Sequence, residues 1–142
     1  MRSVARWDEK KRAVKLERCQ RIVKEAAEQS QRNVVPRVVY APDLASALRQ
    51  SAGYLIAPYE AQGQGLPPLK SALRQLNEKR DRLRAEGVRL VIGPEGGLDG
   101  AEVQEIQAHE GRLVTLGARI LRTETAGVVT VAQLLYELES EG

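Results

Sequence analysis

The stretch VIGPEGGLDGAEV, from Val91 to Val103, decides how this sequence is read. The apolar run VRLVI that starts at Val88 reads as a buried strand and stops at Pro94, with Gly93 before it and Gly96 and Gly97 after it. Asp99, followed three residues later by Glu102, forms a capping box for a helix carrying Val103 and Ile106. Strand, bare loop and helix in direct succession predict a parallel α/β sheet, in which ligands bind at the carboxyl ends of strands. The glycines have two readings. They open main-chain N–H and C=O groups to a ligand, because no Cβ intervenes, or they simply make two tight turns.

The flanking sequence repeats the pattern. Leu16, Cys19, Val23, Ala26, Ala27 and Ser30 recur at helical steps and predict a helix over Asp8 to Arg32, ended by Pro36. RVVYA from Arg37 is β-branched and predicts a strand. Asp43 caps a short helix through Leu48 that Gly53 closes, and YLIAP from Tyr54 predicts a compact strand. A Gly- and Pro-rich loop runs from Tyr59 to Pro68, and Leu69, Leu73, Leu76 and Leu83 mark a helix ending at Gly87. Gly111 ends the helix after Asp99, RLVTL from Arg112 predicts a strand, and Val128, Val131, Leu135 and Leu138 predict a last helix over Glu124 to Glu139. No internal repeat or linker divides the 142 residues, so a single domain is expected.

Composition narrows the classes. Apolar residues are 42% and charged residues 29%, as in ordinary globular proteins. No run approaches the roughly 18 apolar residues of a membrane span, and the charged start MRSVARWDEKKRAVK has no apolar signal core. The single Cys19 fits a reducing cytoplasm, and the single His109 has no companion at zinc-ligand spacing, so neither membrane nor metal is expected. The net charge of +3 is uneven: residues 1–37 carry 11 Lys/Arg against 5 Asp/Glu, residues 38–142 carry 11 against 14. A basic front predicts a polyanion partner, RNA first, or else a solvated helix face.

Three loops leave strands at the ligand-binding end: Pro58–Pro68, Gly93–Leu98 and Gly117–Thr125. None is a phosphate cradle. No lysine follows the glycines of Gly93–Gly97, and Gly63-Gln64-Gly65 is only a fragment of a dinucleotide fingerprint. Backbone recognition of an adenine or an amino-acid end needs no such signature. In LGARILRTETA, Thr123 is expected to cap the last helix and Glu124 suits its dipole. Arg119 and Arg122 bracket the apolar pair Ile120 and Leu121, and each charge needs a partner or solvent.

IGPEGGLDGAEV followed by LVTLGARILRTETA resembles the paired signature of the RsmE family, the ribosomal small-subunit uracil-N3 methyltransferases of the knotted SPOUT superfamily. ERCQRIVKEAAEQSQRNVVP, Glu17 to Pro36, is similar to that family's basic helix and following loop, and the likeness runs from about Trp7 to Leu138. The resemblance implies an α/β parallel-sheet domain with a C-terminal trefoil knot. It also implies S-adenosylmethionine as cofactor, bound by Ile92, Gly93, Gly96, Leu116, Gly117, Ile120 and Leu121. Small-subunit (16S) rRNA is the implied partner, and a homodimer the implied assembly. Arg122 would stabilise negative charge on a uracil carbonyl. Glu95 would orient the substrate, accept its proton, or only bond N–H groups of its own loop.

Family members carry a PUA-like barrel and a first strand–helix unit ahead of the segment matched by MRSVARWDEKK, so an N-terminally truncated form is expected. Two functions follow: a cytoplasmic rRNA methyltransferase, or a non-catalytic knotted domain that dimerises and binds cofactor or RNA.

Overall fold

The computed structural model describes residues 8–60, 65–78 and 85–139. Expectations that fell on Trp7, Gly63, Gln64 and Leu83 lie outside the described residues. The chain divides into two compact units, residues 2–43 and residues 44–142.

In the first unit, helix α1 spans Glu9–Gln29. Asp8 caps it by accepting from the Lys11 N–H at 2.8 Å, and Glu9 places a carboxylate against the positive end of the dipole. The helix stops earlier than Arg32, and Pro36 does not end it. Gln31 takes a left-handed conformation (φ 54°), so that its N–H bonds Glu28 O and the Arg32 N–H bonds Ala27 O, a Schellman closure without glycine.

The expected strand at Arg37–Ala41 is extended chain without a ladder partner among the described residues. A side-chain amide takes the neighbouring strand's place. Gln20 Nε2 donates to Pro36 O at 2.9 Å and Gln20 Oε1 accepts from the Val38 N–H at 2.8 Å. Arg12 stacks over the Tyr40 ring, 4.3 Å from its centroid. β-propensity was present in this segment, but a second strand to pair with was not.

The second unit is a three-stranded parallel sheet between helices. Its elements are α2 (Leu44–Arg49), β1 (Tyr54–Pro58), α3 (Leu69–Asn77), β2 (Val88–Leu90), α4 (Gly100–Ala108), β3 (Arg112–Val114) and α5 (Thr123–Glu139). Strand order is β2-β1-β3, with Ile56 opposite Leu90 on one side and Arg112 on the other. The central strand is covered on both faces, as its continuous apolar run requires. Side chains alternate across it. Ile56 packs with Leu69, Leu73, Leu76, Val114 and Leu134, whereas Leu55 and Ala57 pack with Leu48, Leu98 and Ile106 on the opposite face. Helices α3 and α5 therefore cover one face, α2 and α4 the other.

Two glycines have other duties than those expected. Gly53 does not close α2, which ends at Arg49. It precedes β1 at φ +111°, where a Cβ would lie 2.6 Å from the Glu86 carbonyl oxygen. Arg89 secures that crossing by donating to the carbonyls of Gly53, Ser51 and Leu48 at 2.9, 3.1 and 3.2 Å. Beyond α4 the left-handed residue is Glu110 (φ 58°), and Gly111 follows it. Gly111 is required by packing, since a Cβ there would stand 2.4 Å from Ile106 Cγ2 and 2.8 Å from Leu55 Cδ2. No helix among the described residues is long and apolar enough to cross a membrane.

Candidate active site

Register determines where the loops leave the sheet. Pro58 lies opposite Val114 and Ile56 opposite Leu90, so the three strands end near one line. There the structure opens a cleft of about 660 Å³, within the range of small-molecule sites. Pro58, Tyr59 and Glu60 line it from the exit of β1, Ile92 to Leu98 from β2, and Leu116, Ile120 and Leu121 from β3. Arg122, Thr123, Glu124 and Ala126 complete it at the start of α5.

The wall after β2 is closely built. The Gly97 N–H bonds Pro94 O at 2.8 Å, with Gly97 at φ +73°. Leu98 turns into the core, and a Cβ on Gly93 would come within 3.2 Å of Leu98 N. The capping box forms in full, with the Glu102 N–H to Asp99 Oδ1 at 2.8 Å and the Asp99 N–H to Glu102 Oε2 at 3.0 Å. Gly96 also lines the cleft, and a Cβ there would meet nothing within 4 Å, so it would occupy cleft space instead.

The wall after β3 is looser. The Thr115 hydroxyl lies 3.2 Å from both the N–H and the carbonyl oxygen of Gly117, which has φ +120°. Beyond it Ala118, Arg119 and Ile120 are exposed, Ile120 at 84%. Arg122, not Thr123, stands at the cap position: its carbonyl accepts from the Ala126 N–H at 2.8 Å and Thr123 is already helical. Further along the helix the buried Thr130 hydroxyl donates to Ala126 O at 2.7 Å, one turn back. Gly127 of that helix faces Ile92, where a Cβ would make ordinary contact at 3.8 Å.

Of the residues singled out in the sequence, Ile92, Gly93, Gly96, Leu116, Ile120 and Leu121 line this one cleft, together with Glu95 and Arg122. Gly117 is not among the described lining residues; it turns the chain ahead of them. Tyr59, Glu60, Thr123, Glu124 and Ala126 were not singled out as ligand contacts. Their signal was positional: they are the first residues past a strand and the first turn of a helix. Glu95 is exposed and bonds neither its own loop nor any other described residue, so the purely local role for it is not realised. Three carboxylates (Glu60, Glu95, Glu124) and one guanidinium (Arg122) thus surround an apolar floor of Ile92, Leu98, Leu116 and Leu121. Such a site suits a flat heterocycle joined to a cationic group.

The chain is 39% identical over 141 residues to ribosomal RNA small subunit methyltransferase E of Bacillus subtilis, covering 97% of this chain and 53% of that protein. Its identity to the Synechocystis protein of the same name is 40% over 127 residues, 89% of this chain and 40% of that one. The crystal structure of the Neisseria gonorrhoeae ribosomal RNA small subunit methyltransferase E, bound to S-adenosyl methionine, superposes with a TM-score of 0.73 at 31% identity. That alignment covers 96% of this chain and 52% of the Neisseria chain. The chain therefore spans about half the length of the relatives it matches. The family described as RNA methyltransferase domain matches residues 1–135, nearly the whole chain, and this chain belongs to that family.

Proposed function

We propose that this chain transfers a methyl group from S-adenosylmethionine to the N3 ring nitrogen of a uridine in small-subunit (16S) rRNA. The observation that carries the reading is the meeting of Gly93–Leu98 and Leu116–Arg122 around one cleft at the ends of parallel strands. The cofactor fits the residues present. Ile92, Leu98, Leu116 and Leu121 offer apolar surface to an adenine, the bare Gly96 leaves room beside the main chain, and Glu60, Glu95 and Glu124 favour a cation. When bound it supplies an electrophilic methyl group on a positive sulfur.

The chain's own residues do the rest. The cleft walls hold the uracil ring edge-on to the methyl group, and alignment supplies much of the rate. The uracil N3–H proton must leave before the ring nitrogen can form its new bond to carbon. Glu95, exposed and unbonded, takes that proton or passes it to water. Arg122 stands at the cleft with no ion-pair partner among the described residues, and stabilises the negative charge that spreads onto a uracil carbonyl.

The same reading includes the C-terminal trefoil knot, one methyltransferase domain over residues 1–142, a cytoplasmic location and a homodimer. The family match supports the single domain because it runs through both compact units. Val128, Val131, Leu135 and Tyr136, all exposed on α5, support the dimer; sedimentation showing only monomer at micromolar concentration would count against it. Calorimetric titration with S-adenosylhomocysteine tests the core of the proposal. Binding is expected, followed by methyl transfer to intact small subunits or naked rRNA. A flat titration with no thermal shift leaves the non-catalytic alternative.

A further inference from the structure

An RNA substrate brings phosphates to the cleft, and the second unit has few uncommitted cations with which to meet them. Residues 38–142 carry 11 Lys/Arg against 14 Asp/Glu. Among the described arginines, Arg89 is spent on three backbone carbonyls, Arg112 donates to Gln75 Oε1 and Arg49 to Ser46 Oγ. Lys70 and Arg74 on α3 are exposed without a hydrogen-bond or ion-pair partner among the described residues, and so are Arg119 and Arg122, which lie past the end of β3. The latter two share the loose wall after β3 but not the same position on it. Arg122 lines the cleft; Arg119, three residues earlier and next to the 84% exposed Ile120, does not.

A base must leave its stack to enter such a pocket, and its own phosphates then remain outside. We propose that Arg119 is a positioning residue that grips the RNA phosphate backbone at the rim of the cleft while Arg122 acts on the base within it. Guanidinium geometry suits the task, since its planar fork matches two phosphate oxygens at once. The inference rests on the methyltransferase reading, and it assigns the two arginines to different chemical groups of one nucleotide.

The test is fluorescence anisotropy of a labelled small-subunit rRNA fragment, titrated with the full chain at saturating S-adenosylhomocysteine over a series of salt concentrations. Arg119→Ala is expected to raise the RNA Kd about tenfold and to reduce the slope of log K against log salt by about 0.7 to 0.9, the release of one phosphate contact. Arg119→Lys keeps the charge and is expected to restore the slope but only part of the affinity. The S-adenosylhomocysteine Kd, measured separately, stays at the wild-type value in both variants. In methyl transfer, Arg119→Ala raises KM for RNA with kcat retained, whereas Arg122→Ala lowers kcat. Wild-type Kd and slope in Arg119→Ala overturn the assignment, as does loss of cofactor binding in that variant or a wild-type chain with no RNA affinity at low salt. Failure of the wider reading looks different, because the wild-type chain then binds no S-adenosylhomocysteine at all.

Discussion

The two walls of the cleft are built to opposite standards. Gly93–Leu98 is closed by a main-chain bond, anchored by Leu98 in the core and continued by a reciprocal capping box. Leu116–Arg122 is held by one hydroxyl at its start and runs into the helix at its end, with exposed Ile120 between them. One wall is formed before anything binds. The other has few contacts to lose and is drawn from the low-stability end of the fold. The difference teaches how far each wall depends on its own bonds: the closed wall, which carries Glu95, is fixed by main-chain and cap contacts, and the open wall, which carries Arg122, has few of its own.

Changes to the turn and cap of the closed wall should therefore affect stability unless they fill the cleft, whereas changes to Arg122 on the open wall, and to Glu95 on the closed one, should affect chemistry. The largest effect is expected for Arg122→Ala, with kcat reduced about 10²–10³-fold and S-adenosylhomocysteine affinity nearly unchanged in single-turnover and titration experiments. Near wild-type turnover would remove Arg122 from the mechanism. Next is Gly96→Leu, which places a side chain into the empty cleft space. Cofactor Kd should rise about 10- to 100-fold, equivalent to an overpacking cost of about 1–3 kcal/mol, while the melting temperature barely moves. A large drop in melting temperature instead would mean that Gly96 serves the fold.

Asp99→Ala breaks the capping box and should cost about 1 kcal/mol, read as a fall in Tm of about 3 °C. An unchanged Tm would show that the closed wall does not depend on its cap. The smallest change is expected for Ile120→Ala. At 84% exposure its loss should alter stability by less than about 0.5 kcal/mol and weaken cofactor binding by about 1 kcal/mol through lost apolar contact. A stability loss larger than the binding loss would reverse the contrast between the walls.

Much of this was legible in the residues. YLIAP, VRLVI and RLVTL do form the sheet, the last two shortened to Val88–Leu90 and Arg112–Val114. Asp99 and Glu102 make the capping box that their spacing predicts. The misses have separate causes, one a partner remote in sequence and the others local backbone choices. Gln20 reaches 18 residues along the chain to bond Val38 N–H and so satisfies extended backbone that reads as a strand. Gln31 and Glu110 adopt left-handed conformations where a pattern reader looks for glycine. Gly117, beside residues that line the cleft, bends the chain and does not line it.

The sequence by itself determined the alternation of strands and helices and the places where loops stay bare, because periodicity, caps and glycine act within a few residues. It also determined which chemical groups those loops carry. Only the tertiary structure decided the order β2-β1-β3, the face each helix covers and the meeting of two loops separated by the whole of α4 and β3. Those outcomes depend on register and on side-chain volume at contacts such as Gly111 with Leu55, which no local pattern encodes. Tertiary structure likewise separated two arginines three residues apart, setting one in the cleft and leaving the other outside it.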